Sequence, residues 1–244
     1  MKLANLKPES LTETPTGYCS GCGHGVAHRL VAEVIDEMGM RENTVGVAPV
    51  GCAVFAYDYW NFDVTEAPHG RTPCVAAGIK RVLPDRVVFS YQGDGDLASI
   101  GMGEIIHTAN RGDNITVVFI NNANYGMTGG QMAPTTPLGM KTSTTPLGRT
   151  AEAGHPIRVP ELLNALEAPV YLDRQSLHDP AHVRKAKNAL KKAFRLQVEG
   201  KGFSLVELLS TCPSNWGMTP QDAVKWVGVE MVKTFPLGVI RDKS

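Results

Sequence analysis

Apolar positions along this chain keep two rhythms. Over residues 26–38 they recur at the spacing of one helix face, and the run stops at Gly39. "TVGVAPV" (44–50), "RVVFSYQ" (86–92), "NITVVFI" (114–120), "APVYLDR" (168–174) and "FSLVELLS" (203–210) are short apolar runs of the kind that form buried strands. Helical patterns stand between them: "CVAAGIKRV" (74–82), "LASIGMGEIIHTANR" (97–111), "ELLNAL" (161–166) and the amphipathic stretch 180–199. Strands alternating with helices predict an α/β fold, a mostly parallel sheet with helices on both faces, with 203–210 as its last strand. No repeat or shift in composition divides the chain, so one domain over residues 1–244 is expected. Residues 132–160, rich in Thr, Pro and Gly, are too long for an ordinary connection and predict a functional or disordered loop.

Two polar loops follow two of the strands. Gly93-Asp94-Gly95-Asp96 comes directly after Gln92, and Asn121-Asn122-Ala123-Asn124-Tyr125-Gly126 directly after Ile120. In doubly wound sheets ligands bind beyond the carboxyl ends of the strands. Gly93 and Gly95 would let a phosphate approach the backbone, and the next helix offers its free N–H groups and positive dipole end. Asp94 suits a hard cation such as Mg²⁺, to which Asn122 could add a side-chain oxygen and the loop near Asn124 a carbonyl. Gly126, Met127 and Thr128 lead into a Gly129-Gly130 turn with further donors. Singly, Gly-Asp-Gly and Asn-Asn are ordinary turn sequences. Together, about 28 residues apart and each behind a strand, they point to a clamp for a metal and a diphosphate. A Rossmann loop would need Gly-x-Gly-x-x-Gly, and "GDGDLAS" lacks its third glycine.

Charge removes some function classes. The 24 Lys+Arg balance 24 Asp+Glu, so no broad footprint for nucleic acid or a membrane surface is expected. No apolar run approaches the roughly 20 residues of a membrane span, and "MKLANLKPES" lacks a signal pattern; a cytoplasmic protein is expected. In that compartment the five cysteines suggest metal or redox chemistry before disulfides. Cys19 and Cys22 lie in "GYCSGCGHG", while Cys52 and Cys212 each follow a strand. Cys74 opens a small-residue helix, where buried packing is expected. Four thiolates from one Cys-x-x-Cys and two strand ends could hold [4Fe–4S] or Zn²⁺, or stay unligated. His24, beside the cysteine pair, and His69, in "PHGR", are candidates to face cofactor or substrate. His28, His155, His178 and His182 carry no signal, and Glu33 and Glu104 read as helix-face residues. The aromatic run 55–62 could wall a pocket, with a subunit interface the favoured reading.

"GYCSGCGHGVAHRLVAEVID", "APVGCAVFAYDYW", "APHGRTPCVAAGIKR", "YQGDGDLASIGMGEIIHTANRGDNITVVFINNANYGMTGGQMAPTT" and "LLSTCPSNWGM" cover nearly the whole chain in order. They resemble the β subunit of the 2-oxoacid:ferredoxin oxidoreductases, most strongly the branched-chain (2-oxoisovalerate) type and nearly as well the 2-oxoglutarate type. The resemblance implies a thiamine diphosphate-binding fold. It implies Mg²⁺ on Asp94, Asn122 and the Asn124 carbonyl, with Gly93, Gly95, Asp96, Gly126, Met127 and Thr128 around the cofactor. It implies a [4Fe–4S] cluster on Cys19, Cys22, Cys52 and Cys212, without Cys74. The implied reaction is a coenzyme A-dependent oxidative decarboxylation of a 2-oxoacid with ferredoxin as electron acceptor, and His24 and His69 are its candidate catalytic residues. The implied partner is an α subunit that supplies the activating glutamate, with γ and δ subunits left open. Some members carry a lysine shortly after the third cluster cysteine; "GCAVFAY" has none, so that role does not transfer. A cluster-free thiamine diphosphate decarboxylase subunit and a zinc-binding scaffold remain as alternatives.

Overall fold

In a computed structural model, described for residues 7–243, the apolar runs become strands and the periodic stretches helices. The strands are β1 (Thr44–Ala48), β2 (Asp63–Glu66), β3 (Val87–Gly93), β4 (Thr116–Asn121), the short pair β5 (Asn124–Tyr125) and β6 (Gln131–Met132), β7 (Tyr171–Ser176), β8 (Ser204–Leu209) and β9 (Gly238–Asp242). The helices are α1 (His24–Glu37), α2 (Ala56–Tyr59), α3 (Thr72–Val82), α4 (Met102–Arg111), α5 (Val159–Leu163), α6 (Pro180–Val198), α7 (Pro213–Trp216), α8 (Pro220–Trp226) and α9 (Val232–Thr234). The main sheet runs β2-β1-β3-β4-β8-β7-β9, with every neighbour parallel except β9 on β7.

Two-residue alternation along the buried strands feeds two cores. Phe89, Tyr91, Val118, Ile120, Val206 and Leu208 belong to the core that α1 and α6 cover. Val88, Val117, Phe119, Leu172 and Leu205 belong to the core of the opposite face, under α3, α4 and α5. A one-residue slip of any central strand would exchange these sets, so the register is firmly specified. The long helix α6 starts where its sequence says it should. Asp179 caps it by accepting from the His182 N–H, and Pro180 occupies the first turn, where its missing N–H costs nothing.

Several expectations change. Residues 203–210 are not the last strand, because β9 follows and closes the sheet edge on β7. The helix expected over 97–111 breaks at Gly101, and its first turn (Asp96–Ile100) is a π turn. Gly70 and Gly101 meet backbone to backbone there: a Cβ on Gly70 would lie 2.6 Å from the Gly101 nitrogen. The stretch 132–160 is folded, not disordered. The buried Arg149 gathers it by donating to the carbonyls of Ala133, Pro134, Thr136, Gly154 and His155. Cys74 is exposed, because α3 turns Thr72, Pro73, Ala76 and Ala77 inward instead. The aromatic run is divided: Tyr59 and Trp60 are buried in this chain's own core, where Trp60 meets Phe89 and Tyr91 edge-on, while Tyr57 is exposed. No helix among the described residues is long and apolar enough to cross a membrane.

Candidate functional site

Strands β1, β3, β4 and β8 are consecutive in the sheet, and all four end on the same side. The chain lays β2 on one flank of β1 and β3 on the other, so β1 and β3 bound a switch point, where such sheets bind ligands. Gly51-Cys52 follows β1, the Gly93–Asp96 turn ends β3, Asn122 to Gly126 follows β4, and Cys212 lies just past β8. The loop before α1 folds over this rim. Gly23 N–H donates to the Thr211 carbonyl at 3.4 Å, and the Thr211 hydroxyl to the Gly21 carbonyl at 2.5 Å. A Cβ on Gly23 would fall 2.1 Å from Ser210 Oγ and 3.3 Å from the Thr211 nitrogen, so a larger residue would force Ser210 to turn away.

A cavity of about 140 Å³ opens on the rim, and His24, His69, Asp94, Asn122, Met127 and Thr128 are among its lining. A larger groove of about 850 Å³ runs beside α1 and α6. Its charges pair with one another, Lys187 with Glu33 and Glu37, and Arg29 with Glu33. Glu33 is thus a helix-face residue as expected, and Glu104 likewise pairs with Arg71.

The clamp geometry centres on Asp94. Its buried carboxylate accepts from Gly95 N–H at 2.9 Å and from Thr135 Oγ at 2.6 Å. Burial nevertheless pushes its pKa up to about 7. The Asn122 side-chain oxygen lies 2.9 Å from the Asn124 carbonyl oxygen and 3.2 Å from Asp94 Oδ1, oxygen facing oxygen. Ligands at about 2.1 Å in an octahedron stand about 3 Å apart along its edges, so Asn122 lies at edge distance from each of the other two oxygens. Turning the Asn122 amide over would let its nitrogen donate to both oxygens; a cation would satisfy the same three oxygens and take the place of the proton that burial favours on Asp94. Between the two asparagines Ala123 holds φ at +60°, a left-handed conformation that costs a non-glycine residue roughly 1–2 kcal/mol. Its N–H donates to Asn121 Oδ1 at 3.2 Å and its carbonyl accepts from Thr136 Oγ at 2.6 Å.

The other expected cofactor residues divide. Gly93 has open space where a Cβ would stand, so its backbone can face a ligand. Gly95 is needed for a different reason, since a Cβ there would strike the Tyr125 ring at 2.3 Å. Asp96 is occupied within the protein: its carboxylate accepts from Gly70 N–H at 2.9 Å and Gln92 Nε2 at 2.7 Å, and it binds His69 Nδ1. It therefore orients His69. Gly126 lies beside Cys52, and Met127 and Thr128 form the exposed lip, with the Thr128 hydroxyl donating to Gln131.

His24 is buried, with Nδ1 2.7 Å from the Tyr91 hydroxyl and its ring stacked on Tyr18 at 5.0 Å. Burial lowers its pKa to about 4, so the imidazole is neutral near pH 7. His28, which had no sequence signal, lies buried behind it between Trp60 and Tyr91, 3.0 Å from the Tyr18 hydroxyl. His178 and His182 also acquire a place: with Asp179 they bring three ligand atoms within 4.8 Å of one another at the start of α6. His155 only lends Arg149 its carbonyl.

Cys19, Cys22, Cys52 and Cys212 all reach the rim as free thiols. Burial raises the Cys22 thiol to about 12 and Cys52 to about 11, and neighbouring thiols of the set push both further. Cys212 is raised by burial too, against donation from Asn215 Nδ2 at 3.4 Å. Among the described residues no three of these sulfurs lie within 4.8 Å of one another. One tetrahedral Zn²⁺ with bonds of about 2.3 Å would need sulfurs about 3.8 Å apart.

Residues 49–208 match the family described as thiamine pyrophosphate enzyme, C-terminal TPP binding domain. The chain is similar to the ketoisovalerate oxidoreductase subunit VorA of Methanothermobacter thermautotrophicus, at 49% identity over 98% of this chain and 52% of that one. It thus spans about half the length of that relative. It is also similar to the 2-oxoglutarate synthase subunit KorB of Archaeoglobus fulgidus, at 35% identity over 86% of this chain and 75% of that one. A solved structure, the 2-oxoglutarate:ferredoxin oxidoreductase from Magnetococcus marinus with 2-oxoglutarate, coenzyme A and succinyl-CoA bound, superposes with a TM-score of 0.80 at 26% identity. That match covers 100% of this chain and 87% of the other.

Proposed function

Because the chain belongs to the thiamine diphosphate-binding subunits of the 2-oxoacid:ferredoxin oxidoreductases, we propose that it grips the diphosphate end of the cofactor in an enzyme that oxidises a 2-oxoacid to its acyl-coenzyme A and CO₂ and hands the electrons to ferredoxin. The observation that carries this is the gathering of Asp94, Asn122 and the Asn124 carbonyl, with Asn122 at octahedral-edge distance from each of the other two, beside the open backbone of Gly93. These residues hold the metal, and Gly93 lets the diphosphate approach. Thiamine diphosphate, when bound, supplies the electron sink that allows a 2-oxoacid to lose CO₂.

The chain's own groups set the surroundings. His24, neutral and tied at Nδ1 to Tyr91, keeps Nε2 as its nitrogen for exchanging a proton. His69, tied at Nδ1 to Asp96, offers its Nε2 at the partly exposed mouth. Cys19, Cys22, Cys52 and Cys212 hold a [4Fe–4S] cluster, a reading supported by sulfur spacing too wide for a single zinc ion. A cavity of 140 Å³ is well below the roughly 300–1,000 Å³ that encloses a small ligand. The remainder of the cofactor, and its activating carboxylate, therefore belong to an α subunit. A branched-chain 2-oxoacid is the favoured substrate, since the relative named for ketoisovalerate is 49% identical and the one named for 2-oxoglutarate 35%. A cytoplasmic location accompanies this reading.

The test is to assay the complex as isolated for coenzyme A-dependent reduction of a viologen dye, with 2-oxoisovalerate and 2-oxoglutarate side by side, and to measure iron and acid-labile sulfide. Reduction driven best by 2-oxoisovalerate supports the proposal. Decarboxylation by an iron-free preparation would instead favour a cluster-free decarboxylase subunit.

A further inference from the structure

A chain of buried polar groups crosses the sheet and ends at the turn that carries the metal clamp. It begins at Arg174 on β7, the largest fully buried side chain. Arg174 donates through Nη1 and Nη2 to both oxygens of Glu161 on α5 at 2.7 and 2.6 Å, and through Nε to Glu207 on β8 at 2.6 Å. The Pro236 carbonyl takes a further N–H at 3.1 Å, and the guanidinium lies 5.5 Å from the centre of the Phe235 ring. The second oxygen of Glu207 accepts from Asn121 Nδ2 at 2.7 Å. That bond fixes which way the Asn121 amide faces, so its oxygen is presented to the Ala123 N–H at 3.2 Å. Ala123 is the left-handed residue between Asn122 and Asn124.

Stability alone does not account for this arrangement. A buried ion pair can often be replaced by apolar residues with no loss of stability, whereas a fully satisfied polar network fixes one geometry. The geometry fixed in this case is the turn that points the Asn122 side chain and the Asn124 carbonyl toward Asp94. We propose that Asn121 and Glu207 are positioning residues for the metal clamp. They hold Ala123 in its left-handed conformation from behind, with Arg174 orienting Glu207. The inference rests on the reading of the clamp as a Mg²⁺–thiamine diphosphate site and goes beyond it, since neither residue faces the ligand.

Glycine adopts the left-handed conformation without strain, which gives the test its control. In the complex as isolated and stripped of cofactor, thiamine diphosphate binding at fixed Mg²⁺ is titrated by calorimetry and followed by tryptophan fluorescence. Trp216 is a built-in reporter, as its indole donates to the Asn122 carbonyl at 3.2 Å. Asn121→Ala should weaken binding by about tenfold or more, the usual range for groups that orient metal ligands. Adding Ala123→Gly to that variant should restore most of the affinity, although it restores no bond to Glu207. Glu207→Gln, which keeps the shape of the side chain, should weaken binding less and carries the same test if Asn121→Ala does not fold. Ala123→Gly should rescue it too. Unchanged affinity in the folded variants, or a loss that Ala123→Gly does not repair, overturns the positioning role while leaving the clamp in place. A wild-type complex indifferent to thiamine diphosphate overturns both.

Discussion

The proposed metal clamp and the cysteine set share one rim of the sheet and are built in opposite ways. The clamp lies on two neighbouring strand ends and is braced within the fold: Asp94 is tied to Gly95 and Thr135, and the turn that carries Asn122 and Asn124 is held through Asn121 to Glu207 and Ala123 to Thr136. The cysteines come from three distant stretches of chain joined by loop contacts, such as Gly23 to Thr211 and the Tyr18 hydroxyl to the Cys52 carbonyl. Burial makes the thiols of Cys22, Cys52 and Cys212 harder to ionise, and neighbouring thiols of the set raise Cys22 and Cys52 further. The clamp should thus exist before its ligand arrives. The cysteine set should draw its order from its occupant, because metal binding energy is then folding energy.

The comparison breaks first at the cysteines, where the largest effect is expected. Replacing Cys22 or Cys212 by Ser should leave a protein with little iron and no ferredoxin reduction, and Cys74→Ser should change neither. Iron analysis and visible absorbance read this directly; iron kept by Cys212→Ser but lost from Cys74→Ser would show that the wrong four thiols are grouped. Next comes Asp94→Ala. Losing the clamp's only carboxylate should weaken Mg²⁺-dependent thiamine diphosphate binding by about 3 kcal/mol or more, over a hundredfold. The fold should survive, and calorimetry with a parallel thermal melt separates the two; undiminished affinity would refute the clamp.

A smaller effect is expected from pH. The Asp94 carboxyl titrates near 7 in the empty fold and near 3.8 unfolded, so the empty fold holds its proton the more tightly. Stability of the empty chain should therefore fall as pH rises from about 4 to 7, and level off above. Mg²⁺ needs the carboxylate, so cofactor affinity should climb through the same window, about tenfold between pH 6 and 8. Thermal shift at matched Mg²⁺ measures it, and a flat profile would mean that Asp94 is already ionised without metal. The smallest effect sharpens the contrast itself. Removing iron should speed hydrogen exchange over residues 19–22 and 51–54 and leave 93–96 and 121–125 protected. Equal loosening of both would show that the clamp is no more preformed than the cysteine set.

The meeting of the two loops proposed as the clamp was legible in sequence because they combine short-range signals: an apolar strand, a glycine-framed aspartate, and a second strand running into paired asparagines. The central strands were legible for the same reason. The edge strands were not, since "DVTE" and "GVIRD" lie half in solvent and have no apolar run to announce them. Arg149 escaped notice because it bonds only carbonyls, which every residue has. Glu207 and Arg174 did leave a trace: a charge inside "LVELL" and another inside "YLDRQ" sit at buried strand positions, where they must find partners. Cys74 was misplaced because small residues surround it on both faces of its helix, and composition does not say which face turns inward. Asp96 lies one residue beyond the glycine pair, yet only the folded chain reveals that Gly70, Gln92 and His69 take up its oxygens.

The two margins of the sheet carry a consequence of their own. At one edge β2 is four residues long and acidic at both ends, Asp63 and Glu66. At the other, β9 runs against the direction of the rest, enters just after Pro236, and pairs with a bulge opposite Leu172 and Asp173. Neither margin presents a long, flat row of free amides and carbonyls onto which a foreign strand could add. A chain crowded with others during synthesis is thereby guarded against ribbon-like stacking through its edges. Lawful association is left to the loop-bearing rim, where side-chain shape and charge can select the right neighbour.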